Sequence, residues 1–470
     1  MMHSSKTLYV HTIGCQMNVY DGEQIARGLI PLGYRSASRP EAADLIVVNT
    51  CAIREKAEQK VFSFLGRLAL LKEKRPGLVI AVGGCVAQQE GERILSRAPC
   101  VDIVFGTRSI DRLPELLADA AASGRPRVAV EMGPDAFLTP RPPEKGEQVS
   151  GFVTIMQGCD NHCTYCVVPS VRGPETSKPP EAVLAEVRGL TAAGVREVTL
   201  LGQNVNSYGL KEGLCDFPEL LGRLNDIEGL ERIRFTTSHP KDLSDGLIAA
   251  FRDLPGLCKH IHLPIQSGSD RILKRMNRKY TRAVYLDRID ALRAACPEIA
   301  VTSDFIAGFP GETDADFGQT LSIIETVGYD SLFAFQYSDR PAAPAARFSD
   351  KVPDRVKAAR LRRLLDLQGR ITLEKHRNLV GRVETVLVDG PAKKQPADGP
   401  VSNPTQWAGR TSGNKIVNFT LTPHWKSEAV RPGRLIPVRI EAAFPHSLRG
   451  RPIDGGPPRS GAKGEESHAA

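Results

Sequence analysis

The sequence predicts an α/β protein with a small all-β unit at its C-terminal end, and three observations support this prediction. Short apolar runs alternate with helix-like stretches through the first 130 residues. The same alternation resumes at Gly151 and continues to about Asp339. Alternating strands and helices are typical of parallel sheets covered by helices. From Leu379 the pattern changes to β-branched runs separated by Gly and Pro, which favours a small barrel.

Composition limits the kind of protein this can be. A chain of 470 residues suggests two or three domains, and 41% hydrophobic with 25% charged residues is ordinary for a soluble globular protein. No apolar run reaches the roughly 18 residues of a membrane span, and the first residues lack a signal-peptide pattern. We therefore expect a cytoplasmic protein that does not associate with membranes. The net charge of +8 suggests a polyanionic partner.

Residues 1–130 are predicted to form a Rossmann-like parallel α/β domain. Strands are predicted at Leu8–Thr12, Leu45–Asn49, Leu78–Val82 and Val101–Phe105. Helices are predicted at Asp21–Leu32, Arg54–Lys74 and Val86–Ala98. Right-handed crossovers place the carboxyl ends of all these strands at one edge, where ligands bind in open sheets.

Three cysteines of this domain each stand just beyond a predicted strand, at Cys15, Cys51 and Cys85. Any one of them could be a buried small hydrophobe. Their shared position after a strand instead favours convergence on one soft metal centre. The chain has ten cysteines, and in a reducing compartment this number favours metal binding or catalysis over disulfides. Four further cysteines share no spacing and are assigned to the core: Cys100, Cys215, Cys258 and Cys296.

The loop after the next strand carries Cys159, Cys163 and Cys166 in a C-x3-C-x2-C spacing. Three thiolates on one loop can bind one soft metal centre. Zinc would require a fourth ligand, for which His162 is the local candidate, and purely structural cysteines are the other alternative. A [4Fe–4S] cluster can use three cysteines and leave one iron open to another ligand. The specific spacing, between a strand and a βα series, favours the cluster.

Residues 150–376 are predicted to form a partial (β/α)6 barrel, after a linker at 131–149 that is rich in Pro and charge. Strands are predicted at Phe152–Met156, Glu197–Leu201, Arg232–Thr236, His260–Pro264, Val301–Ile306 and Leu332–Gln336. The carboxyl ends of barrel strands carry the chemistry. Gln203, Asn204 and Gln266 follow such ends and are candidate cofactor contacts, although helix caps and turns use the same residue types. Ser269 and Asp314 fit that structural role better.

Residues 379–445 are predicted to form the small all-β unit, and residues 451–470 a disordered tail. Ten Lys and Arg against five Asp and Glu across Val380–Gly450 give this unit a basic surplus. Trp407, Phe419 and Trp425 could stack on bases, so a single-stranded or loop RNA is a plausible partner. The alternative is that the surplus is ordinary solvated surface.

Five segments give the chain a resemblance that covers nearly its whole length. They are Thr12–Asn18, Asn49–Ala57, Gly83–Gln88, Met156–Pro169 and Leu201–Tyr208. The chain resembles the methylthiotransferase family of radical S-adenosylmethionine (SAM) enzymes, and is most similar to the tRNA-2-methylthio-N6-dimethylallyladenosine synthases (MiaB type). The resemblance implies an N-terminal methylthiotransferase domain, a radical SAM core and a C-terminal TRAM domain that binds RNA.

The resemblance also implies cofactors and a reaction. One [4Fe–4S] cluster at Cys159, Cys163 and Cys166 would bind SAM, a second would sit on Cys15, Cys51 and Cys85, and Gly311 would lie beside SAM. The implied reaction adds a methylthio group to C2 of N6-isopentenyladenosine at position 37 of tRNA, next to the anticodon. Partners would be a tRNA carrying isopentenyladenosine and a low-potential electron donor, flavodoxin-like or ferredoxin-like. We expect a monomer.

Two alternatives stay open. Relatives act on threonylcarbamoyl-adenosine in tRNA or on a ribosomal protein side chain, and the Cys15–Asn18 and Cys51–Lys56 segments favour the isopentenyl-adenosine enzymes over these. A cluster-carrying RNA-binding protein without catalysis is the other alternative. One departure from the family pattern occurs at Arg340–Ala345, which reads RPAAPA where RPGTPA is frequent. We expect this segment to touch the bridge to the C-terminal domain and not the cluster ligands.

Overall fold

A computed structural model describes residues 6–52, 55–133, 137–393, 406–421 and 430–453. Its N-terminal domain is a parallel six-stranded sheet with the order β2-β1-β3-β4-β5-β6. The strands are β1 (Lys6–Ile13), β2 (Tyr34–Ser36), β3 (Leu45–Thr50), β4 (Val79–Gly84), β5 (Ile103–Phe105) and β6 (Arg127–Ala129). The helices are α1 (Gln16–Leu29), α2 (Glu55–Lys74), α3 (Cys85–Glu90), α4 (Arg93–Arg97) and α5 (Leu113–Ser123).

The register of this sheet aligns the three cysteine-bearing strand ends. Ile13 pairs with Thr50, and Thr50 pairs with Gly84, so Cys15, Cys51 and Cys85 follow at the same edge. The predicted single helix Val86–Ala98 is wrong: Gly91, with φ of +51°, ends α3, and α4 begins two residues later. Strands β2 and β6 were not predicted because three residues give too short a pattern.

The central domain confirms the partial barrel. Two three-stranded parallel sheets, ordered β11-β10-β7 and β12-β13-β14, are joined by a parallel bridge between Ile233 and Leu257. Its strands are β7 (Ser150–Thr154), β8 (Met156–Gln157), β9 (Thr176–Ser177), β10 (Glu197–Leu201), β11 (Arg232–Phe235), β12 (His260–His262), β13 (Ala300–Ala307) and β14 (Ser331–Gln336). Its helices are α6 (Val168–Arg172), α7 (Pro180–Ala192), α8 (Phe217–Asn225), α9 (Asp245–Asp253), α10 (Asp270–Arg275), α11 (Arg282–Ala295) and α12 (Asp314–Val327).

Helix α13 (Asp354–Arg377) leads to a closed five-stranded barrel with the order β15-β16-β17-β19-β18. Its strands are β15 (Val383–Pro391), β16 (Gln406–Thr411), β17 (Ile416–Thr420), β18 (Leu435–Ala443) and β19 (Leu448–Pro452). Strand β19 extends this domain past the expected end at residue 445, because the sequence LRGRP has none of the β-branched residues on which the prediction relied.

The predicted base-stacking side chains have different positions. Phe419 is fully buried in the core of the C-terminal barrel, so its predicted role in stacking on RNA is wrong. Trp407 is partly buried and packs against the same core. Trp425 and residues 454–470 of the predicted tail lie outside the described residues. Among the helices described, none has both the length and the apolar character needed to cross a bilayer.

Candidate functional site

The three N-terminal cysteines meet at the edge of the sheet where β1, β3 and β4 end. Cys15 caps α1, Cys51 follows β3, and Cys85 is the first residue of α3. A Cβ atom on Gly14 would lie 2.4 Å from Cβ of Cys51, so the approach of these two turns requires glycine. A hydrogen bond with Cys51 lowers the pKa of Cys15 to about 6, although burial acts in the opposite direction. The edge therefore favours a thiolate, the form that binds metal.

The loop of the second cysteine set is held by an equally close approach. Gly158 has φ of +75°, and a Cβ atom there would lie 1.8 Å from the carbonyl oxygen of Pro174. Each sulfur of the set also receives an N–H donor. Asn161 Nδ2 lies 3.6 Å from Cys159 Sγ, the backbone N of Val168 lies 3.4 Å from Cys166 Sγ, and Arg278 Nη1 lies 3.3 Å from Cys163 Sγ. Hydrogen bonds to sulfur are a means by which proteins tune bound iron–sulfur clusters.

Arg278, whose guanidinium is buried, is a site residue that the sequence analysis did not predict. Besides Cys163, its Nη1 donates to the Tyr165 hydroxyl at 3.2 Å, and its Nη2 donates to the carbonyl oxygen of Pro264 at 2.7 Å. Its Nε donates to the Tyr280 hydroxyl at 2.9 Å. Arg278 is separated by more than 100 residues from the cysteine loop, so no local spacing could have indicated the contact.

The donor sets fit the clusters that the sequence implies, since each brings three thiols to the carboxyl ends of a parallel sheet and the second set also receives three N–H donors. Burial raises the pKa of Cys166 to about 12, and coordination to iron would remove the proton that burial retains. Within the described residues, no three His, Cys, Asp or Glu side chains are arranged to hold a single metal ion. The fit therefore rests on the position and chemistry of the thiols.

The predicted cofactor contacts of the barrel fall into two groups. The Asn204 side chain is satisfied inside the protein: its Nδ2 donates to Ser207 Oγ at 2.9 Å and Asp242 Oδ2 at 2.7 Å, and its Oδ1 accepts from the His239 N–H. Gly311 packs against Arg275 and Asp350. In contrast, Gln203 Oε1 is buried without a hydrogen-bond partner among the described residues. Gln266 has a left-handed backbone, with φ of +77°, and bridges to β13.

Gln203 belongs to a group of buried polar atoms that have no partner in the described part of the chain. Several such atoms lie elsewhere in the protein. Both amide atoms of Asn206, Ser238 Oγ and His239 Nε2 share with Gln203 Oε1 a position after β10 or β11, at the end of the barrel where chemistry is expected. Unpaired buried polar groups are costly unless a ligand or water completes them. Gln203, Asn206, Ser238 and His239 therefore form the better candidate ligand group.

A cavity of about 680 Å³ joins the three domains. Cys15 and Gln16 line it at the N-terminal domain, and Arg410 and Lys415 line it at the C-terminal barrel. Between them it is lined by side chains of the barrel strands: His260, His262, Thr302, Asp304, Phe333 and Phe335. The cavity thus connects Cys15, one of the predicted cluster ligands, with a basic part of the C-terminal domain through a polar, partly aromatic passage.

The segment that departs from the family pattern does reach the cysteine loops, contrary to the sequence-based expectation. The backbone N of Ala345 donates to the carbonyl oxygen of Thr164 at 2.8 Å, between Cys163 and Cys166 in sequence. Ala343 packs in a buried cluster with Cys85 and Val171. The expectation failed because the chain returns from β14 to the open end of the barrel before it enters α13.

Comparison with known proteins decides the family. A family model described as an uncharacterized protein family, UPF0004, matches residues 7–106, and the Radical SAM superfamily matches residues 153–324. A tRNA-2-methylthio-N(6)-dimethylallyladenosine synthase of Desulfosudis oleivorans is 54% identical over 470 residues, which cover 99% of this chain and 100% of the relative. The synthase of Geobacter metallireducens is 51% identical over 96% of this chain and 99% of its own length. The chain belongs to the tRNA-2-methylthio-N(6)-dimethylallyladenosine synthase family.

Solved structures support the fold of this family member. A radical S-adenosylmethionine methyltransferase, TsrM, from Kitasatospora setae superposes with a TM-score of 0.54 at 13% sequence identity. The match covers 84% of this chain and 80% of that one. The fold class predicted from the sequence is confirmed, as are the radical SAM enzyme class and its cofactors, SAM and [4Fe–4S] clusters.

Proposed function

We propose that this enzyme adds a methylthio group to C2 of N6-isopentenyladenosine at position 37 of tRNA, beside the anticodon. The observation that carries the proposal is its family relationship, at 54% identity over almost the whole chain to a synthase named for this product. The domain arrangement agrees with it, because the cavity that begins at Cys15 ends at the basic C-terminal barrel.

The clusters and SAM, when bound, would supply the electron, the radical, the methyl group and the sulfur. Cys159, Cys163 and Cys166 would hold the SAM-binding cluster. Cys15, Cys51 and Cys85 would hold the second cluster. The mouth of the barrel offers Gln203 and the polar groups after β11 to orient bound SAM. C2 of adenosine carries no acidic proton, so acid–base catalysis by side chains alone would be poor, and this is a chemical reason for the radical cofactor.

The remaining parts of the chain would deliver the substrate. Arg410 lies at the far end of the cavity with its side chain partly exposed, where a cationic group can contact tRNA phosphates. Phe333 is more than half exposed and lines the same cavity, where an aromatic face can stack on a base. We further propose a cytoplasmic monomer that receives electrons from a flavodoxin-like or ferredoxin-like donor.

Mass spectrometry of tRNA nucleosides from cells lacking the protein tests this function. We expect 2-methylthio-isopentenyladenosine to disappear and isopentenyladenosine to accumulate, with recovery by the wild-type gene. Unchanged nucleosides would contradict the proposal and direct the search to a protein substrate. Loss of a methylthio derivative of threonylcarbamoyl-adenosine would instead assign the enzyme to the other tRNA modification.

Purified variants test the division of work between the two cysteine sets. We expect Cys159→Ala to abolish SAM cleavage, since the open iron would be lost. We expect Cys51→Ala to retain SAM cleavage and lose methylthiolation of tRNA. Methylthiolated product from Cys51→Ala would contradict this division. Cys296→Ala, a buried cysteine outside both sets, is the matched control and should retain both activities.

A further inference from the structure

A buried ion pair lies beside the N-terminal cysteine set and belongs to none of the predicted sites. Arg172, at the end of α6, is 5% exposed, and Asp21, on the helix that Cys15 caps, is 3% exposed. Arg172 Nη2 lies 3.0 Å from Asp21 Oδ2. A buried ion pair seldom adds net stability, because the loss of hydration of both charges offsets their attraction. Stability alone is therefore a weak reason for a buried pair at this position.

The surroundings of Arg172 bring its charge to the cysteines. Helix α6 packs on the start of α3, where Val167 and Val171 form a buried cluster with Ala52, Cys85 and Val86. Arg172 directly follows Val171, which packs in this cluster with Cys85, and its guanidinium pairs with Asp21 on the helix that Cys15 caps. These neighbours exclude water, so a charge in this position is weakly screened.

The same segment connects the two cysteine sets. Arg172 is six residues beyond Cys166, and the carbonyl oxygen of the next residue, Gly173, accepts a hydrogen bond from the backbone N of Cys159 at 3.2 Å. Thr107 Oγ1 donates to the carbonyl oxygen of Val171 at 2.9 Å, and Arg108 Nη2 donates to that of Arg172 at 3.2 Å. The backbone around Arg172 is therefore fixed to both domains.

We propose that Arg172 and Asp21 are positioning residues that set the reduction potential of the cluster held by Cys15, Cys51 and Cys85. This inference rests on the proposed function for the assignment of that cluster. The potential of an iron–sulfur cluster depends on net charge, on hydrogen bonds to its sulfur atoms and on burial. Reduction adds an electron to a cluster that already carries thiolate charge, so the Arg172 cation favours the reduced form and the Asp21 anion opposes it.

Two substitutions that should shift the reduction potential in opposite directions test this proposal. Arg172→Gln removes the cation and should shift the reduction potential to more negative values. Asp21→Asn keeps the shape of the side chain, removes the anion, and should shift the potential to more positive values. The double variant should lie near the wild type. Structural damage from either substitution would not produce shifts of opposite sign.

The measurement is an EPR-monitored redox titration of a full-length chain in which Cys159, Cys163 and Cys166 are all replaced by Ala, so that one cluster remains. Arg188→Gln, an exposed arginine on α7, is the matched control and should leave the potential unchanged. If Arg172→Gln does not fold, Asp21→Asn and the charge-conserving Arg172→Lys, which should stay near the wild type, decide the question.

The outcomes separate this proposal from the proposed function. Shifts that are absent, or that have the same sign for Arg172→Gln and Asp21→Asn, would overturn the role of the pair and leave the reaction untouched. A chain that binds no cluster in this background would overturn the assignment of Cys15, Cys51 and Cys85, and the role of the pair with it. Iron content and the EPR signal report these outcomes without any assay of tRNA.

Discussion

Asn18 Nδ2 donates a hydrogen bond to Asn49 Oδ1 at 3.0 Å, and Asn49 Nδ2 donates to the backbone oxygen of Asn18 at 2.7 Å. Asn18 also donates to the carbonyl oxygen of Thr50 at 2.9 Å, and its Oδ1 accepts from Cys15 Sγ at 3.2 Å. Both amides are buried. This reciprocal pair fixes the turn that carries Cys15 against the turn that carries Cys51.

We expect Asn18→Ala to loosen this edge and to lower iron binding at the N-terminal set. The substitution leaves Asn49 Oδ1 and the carbonyl oxygen of Thr50 buried without that donor, which costs about 1–3 kcal/mol for each group. The expected result is a less stable N-terminal domain and loss of the iron of one cluster, measured by thermal unfolding and iron analysis. Asn378→Ala, at the exposed end of α13, should change neither. Full iron content in Asn18→Ala would show that the amide pair is dispensable.

We expect Gly158→Ala to prevent the Cys159 loop from closing. The added Cβ would lie 1.8 Å from the carbonyl oxygen of Pro174, and the left-handed backbone adds strain. The variant should lose the SAM-binding cluster and SAM cleavage. Iron analysis measures the first loss, and release of 5′-deoxyadenosine measures the second. Gly189→Ala, in the last turn of α7 with open space around the new atom, should instead stabilise the helix by about 0.5–1 kcal/mol. A fully active Gly158→Ala enzyme would mean that this loop adapts more easily than the close contact indicates.

Alternation within a few dozen residues predicted the parallel sheets, and strand ends and short spacing indicated six cysteines whose role as cluster ligands stays a prediction. The contacts that complete the site join distant segments. Arg278 reaches Cys163 across 115 positions and Arg172 reaches Asp21 across 151, so neither is visible as a motif. Phe419 shows the opposite failure: its aromatic ring suggested RNA stacking, but the closure of the C-terminal barrel buries it. The predicted structural role of Ser269 is confirmed, since its hydroxyl caps α10 and accepts a hydrogen bond from the N–H of Ile272.

We expect Arg234 to hold the C-terminal barrel against the radical SAM core. Its Nε pairs with Glu197 Oε2 at 2.8 Å, and its two terminal nitrogens donate to the carbonyl oxygens of Thr411 at 2.7 Å and Ser412 at 2.9 Å. Arg234→Met leaves the buried Glu197 charge unpaired and should cost about 3–5 kcal/mol of unfolding free energy. Denaturant unfolding measures this loss, and limited proteolysis after α13 reports loosening of the barrel.

A double variant and a surface control sharpen the Arg234 prediction. Arg234→Met with Glu197→Leu should recover part of the stability, because no unpaired charge remains. Arg252→Met, which removes an exposed pair with Asp253, should stay within about 0.5 kcal/mol of the wild type. Equal losses for Arg234→Met and the double variant would contradict the role of the charge and point to packing alone.

We expect His239 to make the protein less stable in mild acid. Burial, with the charges of Arg278 and Lys241, lowers the pKa of His239 to about 2, and the Lys241 N–H donates to its Nδ1 at 3.3 Å. In the unfolded chain the imidazole titrates at its ordinary pKa of 6.5, so below that pH the unfolded state binds a proton that the folded state does not. The unfolding free energy must then fall as pH decreases, by about 1.4 kcal/mol between pH 7.5 and 5.5.

His239→Gln removes this contribution, so urea unfolding of the apoprotein should show a shallower pH dependence in the variant. His446→Gln, at an exposed position, is the control and should keep the wild-type slope. Equal slopes for the wild type and His239→Gln would mean that the imidazole takes up a proton in the folded protein and that the barrel admits water at this point.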